Sequence, residues 1–187
     1  MYLVVITPEQ IQENEAALLT DMLRMGVGRV HLRHPGAIVE ELDEIVESIP
    51  SDMHGKLTLH DHFELTSKHP DVGVQLNSRN PEAPANGRGK VSRSCHTVRE
   101  AIEVDADYVT LSPFFPSISK KGYRGEGFSE AEIQSLPNGR VVALGGITAE
   151  RIKQLKRYPN IAGVAVLGTV WQSDNPLETV EKLLKEL

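Results

Sequence analysis

Short apolar, β-branched runs recur along the chain, at residues 2–6, 29–32, 56–59, 72–76, 90–92, 108–111, 140–144 and 163–167. Most are continuous rather than alternating, the pattern of strands covered on both faces. Between them lie segments with helical spacing, several opened by a start signal. Thr7-Pro8-Glu9-Gln10 offers a capping hydroxyl, a proline at the first helical position and Gln at the third. Thr97 with Glu100, and Ser129 with Glu132, repeat the capping-box spacing. Asn175-Pro176-Leu177-Glu178 repeats it before a final helix whose Leu177, Val180, Leu183, Leu184 and Leu187 form one apolar stripe.

Eight strand–helix units without a composition break predict parallel strands joined by crossovers. Eight such units predict a compact, closed (β/α)8 TIM barrel, a single domain over residues 1–187. With 187 residues the chain is short for a fold that commonly takes roughly 250, so a helix must be trimmed. Residues 77–89 (NSRNPEAPANGRG) are too rich in Pro, Gly and Asn for a helix, and a loop is expected to replace the fourth one.

Composition narrows the partners. A net charge of −6 argues against nucleic acid or an anionic membrane as the main partner. No apolar run approaches the roughly 20 residues of a spanning helix, and the first run lacks the basic start of a signal peptide. Cys95, the one cysteine, excludes an internal disulfide and fits a reducing, cytoplasmic setting. A small buried residue is the expected role for it.

In such a barrel the chemistry lies just after each strand, at the C-terminal end. Leu144-Gly145-Gly146-Ile147-Thr148 is a buried strand end with two glycines and a helix start, suited to an oxyanion. The same glycines would also serve a tight turn with no ligand. Leu167-Gly168-Thr169 supplies the neighbouring loop, and phosphate commonly sits between these two loops. The long segment 112–127 carries hydroxyls, Lys120, Lys121 and Arg124 between glycines, as an anion-closing lid would. Arg33 is a natural anion clamp or, without a ligand, one side of a salt bridge across the barrel mouth. Asp61 could hold Mg²⁺ or cap a turn with Glu64, while His62 reads as a surface or capping residue. Ser94 is a candidate hydroxyl donor to phosphate.

These residues together resemble the thiamine phosphate synthase and TenI-like family, over nearly the whole chain. The family's strand-6 sequence G-P-(I/V)-(F/Y)-P-T-x-T-K is matched by Ser112-Pro113-Phe114-Phe115-Pro116-Ser117-Ile118-Ser119-Lys120. A-I-G-G-I appears as Ala143-Leu144-Gly145-Gly146-Ile147, and G-(V/I)-S-x-H-(T/S) aligns with Ser94-Cys95-His96-Thr97. The Q-(L/F)-R-x-K and N-D sequences line up with His31-Leu32-Arg33-His34-Pro35 and His60-Asp61.

The resemblance implies transfer of hydroxymethylpyrimidine from its diphosphate to thiazole phosphate, with loss of pyrophosphate and help from Mg²⁺. By matching position, Arg33, Ser94 and Lys120 would hold pyrophosphate, and Asp61 would bind Mg²⁺ with Asn80 in the second ligand position. Ser117 and Ser119 would close over substrate, beside His60. Gly145, Gly146 and Gly168 would seat the thiazole phosphate. A homodimer is a further expectation.

Some departures from the pattern bear on the ligands. Pro35 replaces a lysine, Asn80 a carboxylate, His60 an asparagine, and Gly168 a serine. Most of these changes fall on the pyrophosphate side. They keep two alternatives open: a metal-free TenI-like tautomerase of a thiazole phosphate carboxylate, or a non-catalytic thiazole-phosphate binder. The tautomerase histidine of the strand-6 sequence aligns with Pro113, so His60, His34 or His96 would have to serve.

Overall fold

A computed structural model describes residues 1–115 and 127–187. Eight parallel strands close in sequence order: β1 (Tyr2–Ile6), β2 (Arg29–Leu32), β3 (Leu57–Leu59), β4 (Gly73–Leu76), β5 (Val91–Cys95), β6 (Tyr108–Leu111), β7 (Val141–Leu144) and β8 (Ile161–Val166). Closure is made by β1 against β8, with Tyr2 opposite Gly163 and Val5 opposite Val166.

The connecting helices are α1 (Glu15–Met25), α2 (Val39–Ser48), α3 (Val98–Glu103), α4 (Glu130–Ser135), α5 (Ala149–Leu155), α6 (Gly168–Trp171) and α7 (Pro176–Leu184). The predicted caps at three of them are present. Thr97 accepts from the Glu100 N–H, Asn175 accepts from that of Glu178, and Ser129 and Glu132 form a full capping box. Residues 77–89 contain no helix, as expected. The crossover after β3 is reduced too, to a 3₁₀ turn over Phe63–Ser67.

Two expectations need correction. No helix begins after Thr7. Its hydroxyl instead accepts the Arg33 N–H at 2.8 Å, and α1 starts at Glu15, behind Asn14 in the left-handed region. Strand β5 also runs on to Cys95 rather than stopping at Ser92, because Ser94 and Cys95 pair with Thr110 and Leu111.

Alternation along each strand makes two cores. Leu3, Val5, Val30, Leu32, Leu57, Leu59, Val109, Leu111, Val141, Ala143, Val164 and Val166 face outward and pack against the helices. Inside the barrel, Val4, Ile6, Tyr108, Val142 and Ala165 form a smaller cluster, with Tyr2, Leu144 and Leu167 against it. The rest of the interior is polar. Arg29, His31, Thr58, Gln75, Ser92 and Thr110 are all buried. A buried polar group must find partners, and these find one another: Arg29 donates to Thr58 at 3.1 Å, and Gln75 donates to Thr110 at 2.9 Å. The network therefore lies among β2–β6, while β7, β8 and β1 line their side with apolar side chains.

Candidate active site

After β7 the chain turns through Gly145 (φ +101°) and Gly146 (φ +64°). Both lie in the left-handed region that side chains with a Cβ disfavour. A Cβ at Gly145 would also stand 3.2 Å from the Pro113 Cα. That close approach has a cause: Phe114 and Phe115 donate backbone N–H bonds to the Leu144 and Gly145 carbonyls at 2.8 and 3.2 Å. The loops after β6 and β7 are thus joined. The Arg151 guanidinium donates to the Gly146 carbonyl and lies over the Phe115 ring, 4.9 Å from its centre.

Thr148 caps α5 by accepting from the Arg151 N–H. The loops after β7 and β8 are linked through Thr169, whose hydroxyl donates to the Ile147 carbonyl at 2.6 Å. Gly168 opens α6. A Cβ there would meet only the Gln172 side chain, at 3.4 Å. Gly145, Gly146 and Gly168 therefore sit together on two adjacent, mutually braced loops at the C-terminal end of the barrel.

On the other side, after β2–β4, side chains make the surface. Arg33 donates to Glu9 at 3.0 Å and is about one-third exposed. The Asp61 carboxylate accepts from Arg79 Nη2 at 3.1 and 3.2 Å, and from Asn80 Nδ2 at 3.1 Å. Asp61 and Asn80 do meet, as expected, but a guanidinium already lies on the carboxylate. Asp61 makes no capping bond to Glu64 among the described residues. His62 tethers loops instead, bonded to the Ala37 carbonyl at 2.9 Å and to Glu64 at 3.1 Å.

Ser94, on β5, accepts from Gln75 Nε2 at 2.8 Å. That bond occupies a lone pair and leaves the hydroxyl hydrogen free to donate. Cys95 is buried, and burial pushes its thiol up to about 11, so it is a structural rather than a nucleophilic residue.

The histidines divide sharply. His34 is enclosed with Glu15, its Nε2 2.8 Å from the carboxylate and both side chains within 1% of full burial. Sealed from solvent against Glu15, it is not open to a substrate. His96 Nδ1 bonds the Ser112 carbonyl at 3.1 Å. His60 lies beside Asp61, and its Nε2 is 2.9 Å from His31 Nδ1. Burial, and then the Arg33 guanidinium, push His60 down to about 3, so its ring is neutral at pH 7. His31, fully buried, is held well below the ordinary range by burial and by His60.

Ser117, Ser119 and Lys120, the expected lid residues, lie outside the described residues. Gln75 and Arg79 fall in the stretch at and after β4 where such a barrel is expected to place its chemistry, though the sequence assigns no role to either, and it does not single out Tyr108 at all. Gln75 orients Ser94, Arg79 neutralises Asp61, and Tyr108 Oη lies 2.7 Å from His31 Nε2. Gln75 carried a second signal, as a polar residue inside an apolar strand.

The donor set at Asp61 and Asn80 is a sparse one for Mg²⁺. It offers one carboxylate and one neutral amide, and Mg²⁺ is commonly held by one or two carboxylates plus substrate phosphate oxygens. Asp61 and Asn80 fit an ion that arrives with a diphosphate and displaces Arg79. Among the described residues the one group of three metal-capable side chains is Asp43, Glu47 and His69, away from this end. Lys68 Nζ already lies 2.6 Å from both of those carboxylates.

Comparison with known proteins agrees with this architecture. A profile of the family described as thiamine monophosphate synthase (TMP-TENI) matches residues 2–170. A thiamine-phosphate synthase of Salinibacter ruber is 30% identical over 92% of this chain and 82% of its own. One from Pyrococcus abyssi is 26% identical over 98% of this chain and 93% of its own. The solved thiamine phosphate pyrophosphorylase of Bacteroides thetaiotaomicron superposes with a TM-score of 0.84 at 28% identity, covering 100% of this chain and 97% of its own. Two 3-hexulose-6-phosphate synthase structures share the fold at 16–17% identity, with TM-scores of 0.69 and 0.66. No helix among the described residues is long and apolar enough to cross a membrane. With the barrel closed in the expected order and the profile matched from β1 to α6, the chain belongs to the thiamine monophosphate synthase family and is a transferase of thiamine biosynthesis.

Proposed function

We propose that the chain is a thiamine-phosphate synthase, transferring hydroxymethylpyrimidine from its diphosphate to thiazole phosphate with release of pyrophosphate. One observation carries this reading: the barrel mouth has two separate anion-receptive halves. Arg33, Arg79 and the Asp61–Asn80 pair lie after β2–β4, and the Gly145–Gly146 and Gly168 loops lie after β7 and β8. Two phosphorylated substrates meeting in one cleft require that layout.

In this reading backbone N–H groups of the glycine loops hold thiazole phosphate. Arg33, Ser94 and Lys120 hold the diphosphate, with Arg79 joining them once it leaves Asp61. Ser117 and Ser119 cover the pair. Asp61 and Asn80 would hold Mg²⁺, which supplies positive charge to the departing diphosphate. The chain's own contribution is orientation of the two substrates and electrostatic stabilisation of the leaving charge.

The tautomerase alternative is narrowed by the geometry, since His34 is sealed against Glu15 and His60 is neutral and tied to His31. The deciding experiment supplies both substrates with and without Mg²⁺ and quantifies thiamine phosphate. Mg²⁺-dependent product is expected. No product from protein that still binds thiazole phosphate would overturn the synthase reading in favour of the tautomerase or a pure binder.

A further inference from the structure

The resemblance places glutamine and asparagine where this chain has His31 and His60. The two replacements contact each other, and they end a line of hydrogen bonds that crosses the barrel. Arg29 Nη1 lies 3.1 Å from Thr58 Oγ1, which lies 3.3 Å from Tyr108 Oη. Tyr108 Oη lies 2.7 Å from His31 Nε2, and His31 Nδ1 lies 2.9 Å from His60 Nε2. The Arg29 guanidinium also sits over the Tyr108 ring, 5.5 Å from its centre. Arg29, His31, Thr58 and Tyr108 are all buried.

An arginine can only donate. Thr58 Oγ1 therefore accepts from Arg29, and its own hydrogen goes to its remaining partner, the Tyr108 oxygen. Tyr108 also faces Ser92, but its shortest partner is His31 Nε2 at 2.7 Å, and we place its hydrogen there. A neutral imidazole carries one donor and one acceptor, so His31 donates from Nδ1 to His60 Nε2. His60 is left with its proton on Nδ1. A doubly protonated His31 would instead bury a second cation beside Arg29, which a dry interior penalises heavily. The His60 Nδ1 makes no hydrogen bond among the described residues. His60 is only partly buried, and its Nδ1 is not among the buried atoms there that lack a partner, so this nitrogen keeps contact with solvent.

We propose that Arg29, Thr58, Tyr108 and His31 act as positioning residues that fix His60 in the Nδ1–H tautomer, and that this N–H is a neutral hydrogen-bond donor to the diphosphate. The second half rests on the synthase reading; the first does not. The arrangement keeps the donor that an asparagine amide would present, without adding charge beside Asp61.

The test begins without any ligand, by two-bond ¹H–¹⁵N correlation of the imidazole nitrogens, with H31Q and H60N assigning the two rings. Both rings are expected as Nδ1–H with unprotonated Nε2. In Y108F the His31 Nε2 loses its donor, and both rings should shift toward mixed tautomers; T58V should move them in the same direction by less. A wild-type His60 found as Nε2–H overturns the direction of the chain, whether or not Y108F folds. Unchanged tautomers in folded Y108F and T58V remove the positioning role. Inorganic pyrophosphate then probes the donor. H60L is expected to weaken its binding about tenfold, the loss of one hydrogen bond to a charged group, while H60N stays close to wild type. Equal affinities for H60L and wild type would refute the contact with diphosphate. If the tautomer holds while the turnover assay fails, the relay stands and the substrate assignment falls.

Discussion

The two halves of the barrel mouth are built by different means. After β7 and β8 the surface is backbone: Gly145 and Gly146 in left-handed conformations, Gly168 opening α6, and Thr169 bracing one loop to the other. After β2–β4 it is side chain: Arg33 held by Glu9, Asp61 by Arg79 and Asn80, and His60 by His31. A backbone seat stays in place without its ligand. The side-chain half holds its charges in ion pairs, and in the proposed reading a diphosphate would exchange those partners for itself. Most departures from the family pattern fall in this half, at Pro35, His60 and Asn80, with Gly168 in the other. Side chains that already trade partners tolerate replacement better than a turn that only glycine can make.

The largest expected effect comes from removing the single carboxylate of the exchanging half. Asp61→Ala should lower Mg²⁺-dependent turnover by about 10²–10³-fold, the scale of one lost electrostatic stabiliser. Thiazole phosphate affinity, read by calorimetry, should hardly change. A parallel loss of thiazole phosphate binding would mean that the two halves are not separate seats.

The pH dependence of stability sharpens the same contrast. His60 is pushed down to about 3 in the folded chain, against 6.5 for an ordinary histidine. Below 6.5 the unfolded chain takes up a proton that the folded ring refuses, so stability is full above that pH and falls between 6.5 and 3. Relative to His60→Asn, wild type should lose stability with a slope approaching about 1.4 kcal/mol per pH unit. Urea unfolding at pH 7, 6 and 5 measures it, and equal slopes would show that His60 is protonated in the folded state. Gly145→Ala tests the rigid half. A left-handed alanine with its Cβ against Pro113 should cost about 1–3 kcal/mol and reduce thiazole phosphate binding, with pyrophosphate binding kept.

How far the sequence revealed all this follows the same division. The strands showed because their outward positions are apolar and continuous, as in Leu3, Val5, Val30 and Leu32, and the glycine loops showed because φ demands leave a residue-type mark. Strand β5 was cut short because Ser92 and Ser94 face a polar interior, which breaks the apolar run. Thr7 carried every local sign of a helix cap, yet the Arg33 N–H across the strands claimed its hydroxyl. Arg79 lay in the stretch after β4 where chemistry was expected, but nothing marked Asp61 as its partner, since that contact joins two loops with no periodicity between them. Tyr108 and His31 read as strand residues, and only barrel closure, which brings positions 77 residues apart into contact, made them partners.

Arg79→Ala should have a smaller effect. The guanidinium is mostly exposed, so its pairing with Asp61 is screened. Freed of it, Asp61 should bind Mg²⁺ up to a few-fold more tightly in the ligand-free protein, within the roughly 0–1 kcal/mol of an exposed pair. Weaker Mg²⁺ binding in the variant would mean that Arg79 supports the site rather than guards it.

The smallest effect is expected where the two halves differ most from a simple rule about glycines. Gly168 lies in the backbone-built half, yet its φ is not in the left-handed region and a Cβ would meet only the flexible Gln172 side chain at 3.4 Å. Gly168→Ser, which restores the residue of the family pattern, should change stability by less than about 0.5 kcal/mol. Its added hydroxyl, next to the phosphate seat, should hold or slightly improve thiazole phosphate affinity. A loss comparable to that of Gly145→Ala would mean that the loop after β8 needs glycine for close approach to the ligand itself, and that the two glycine loops contact phosphate on equal terms.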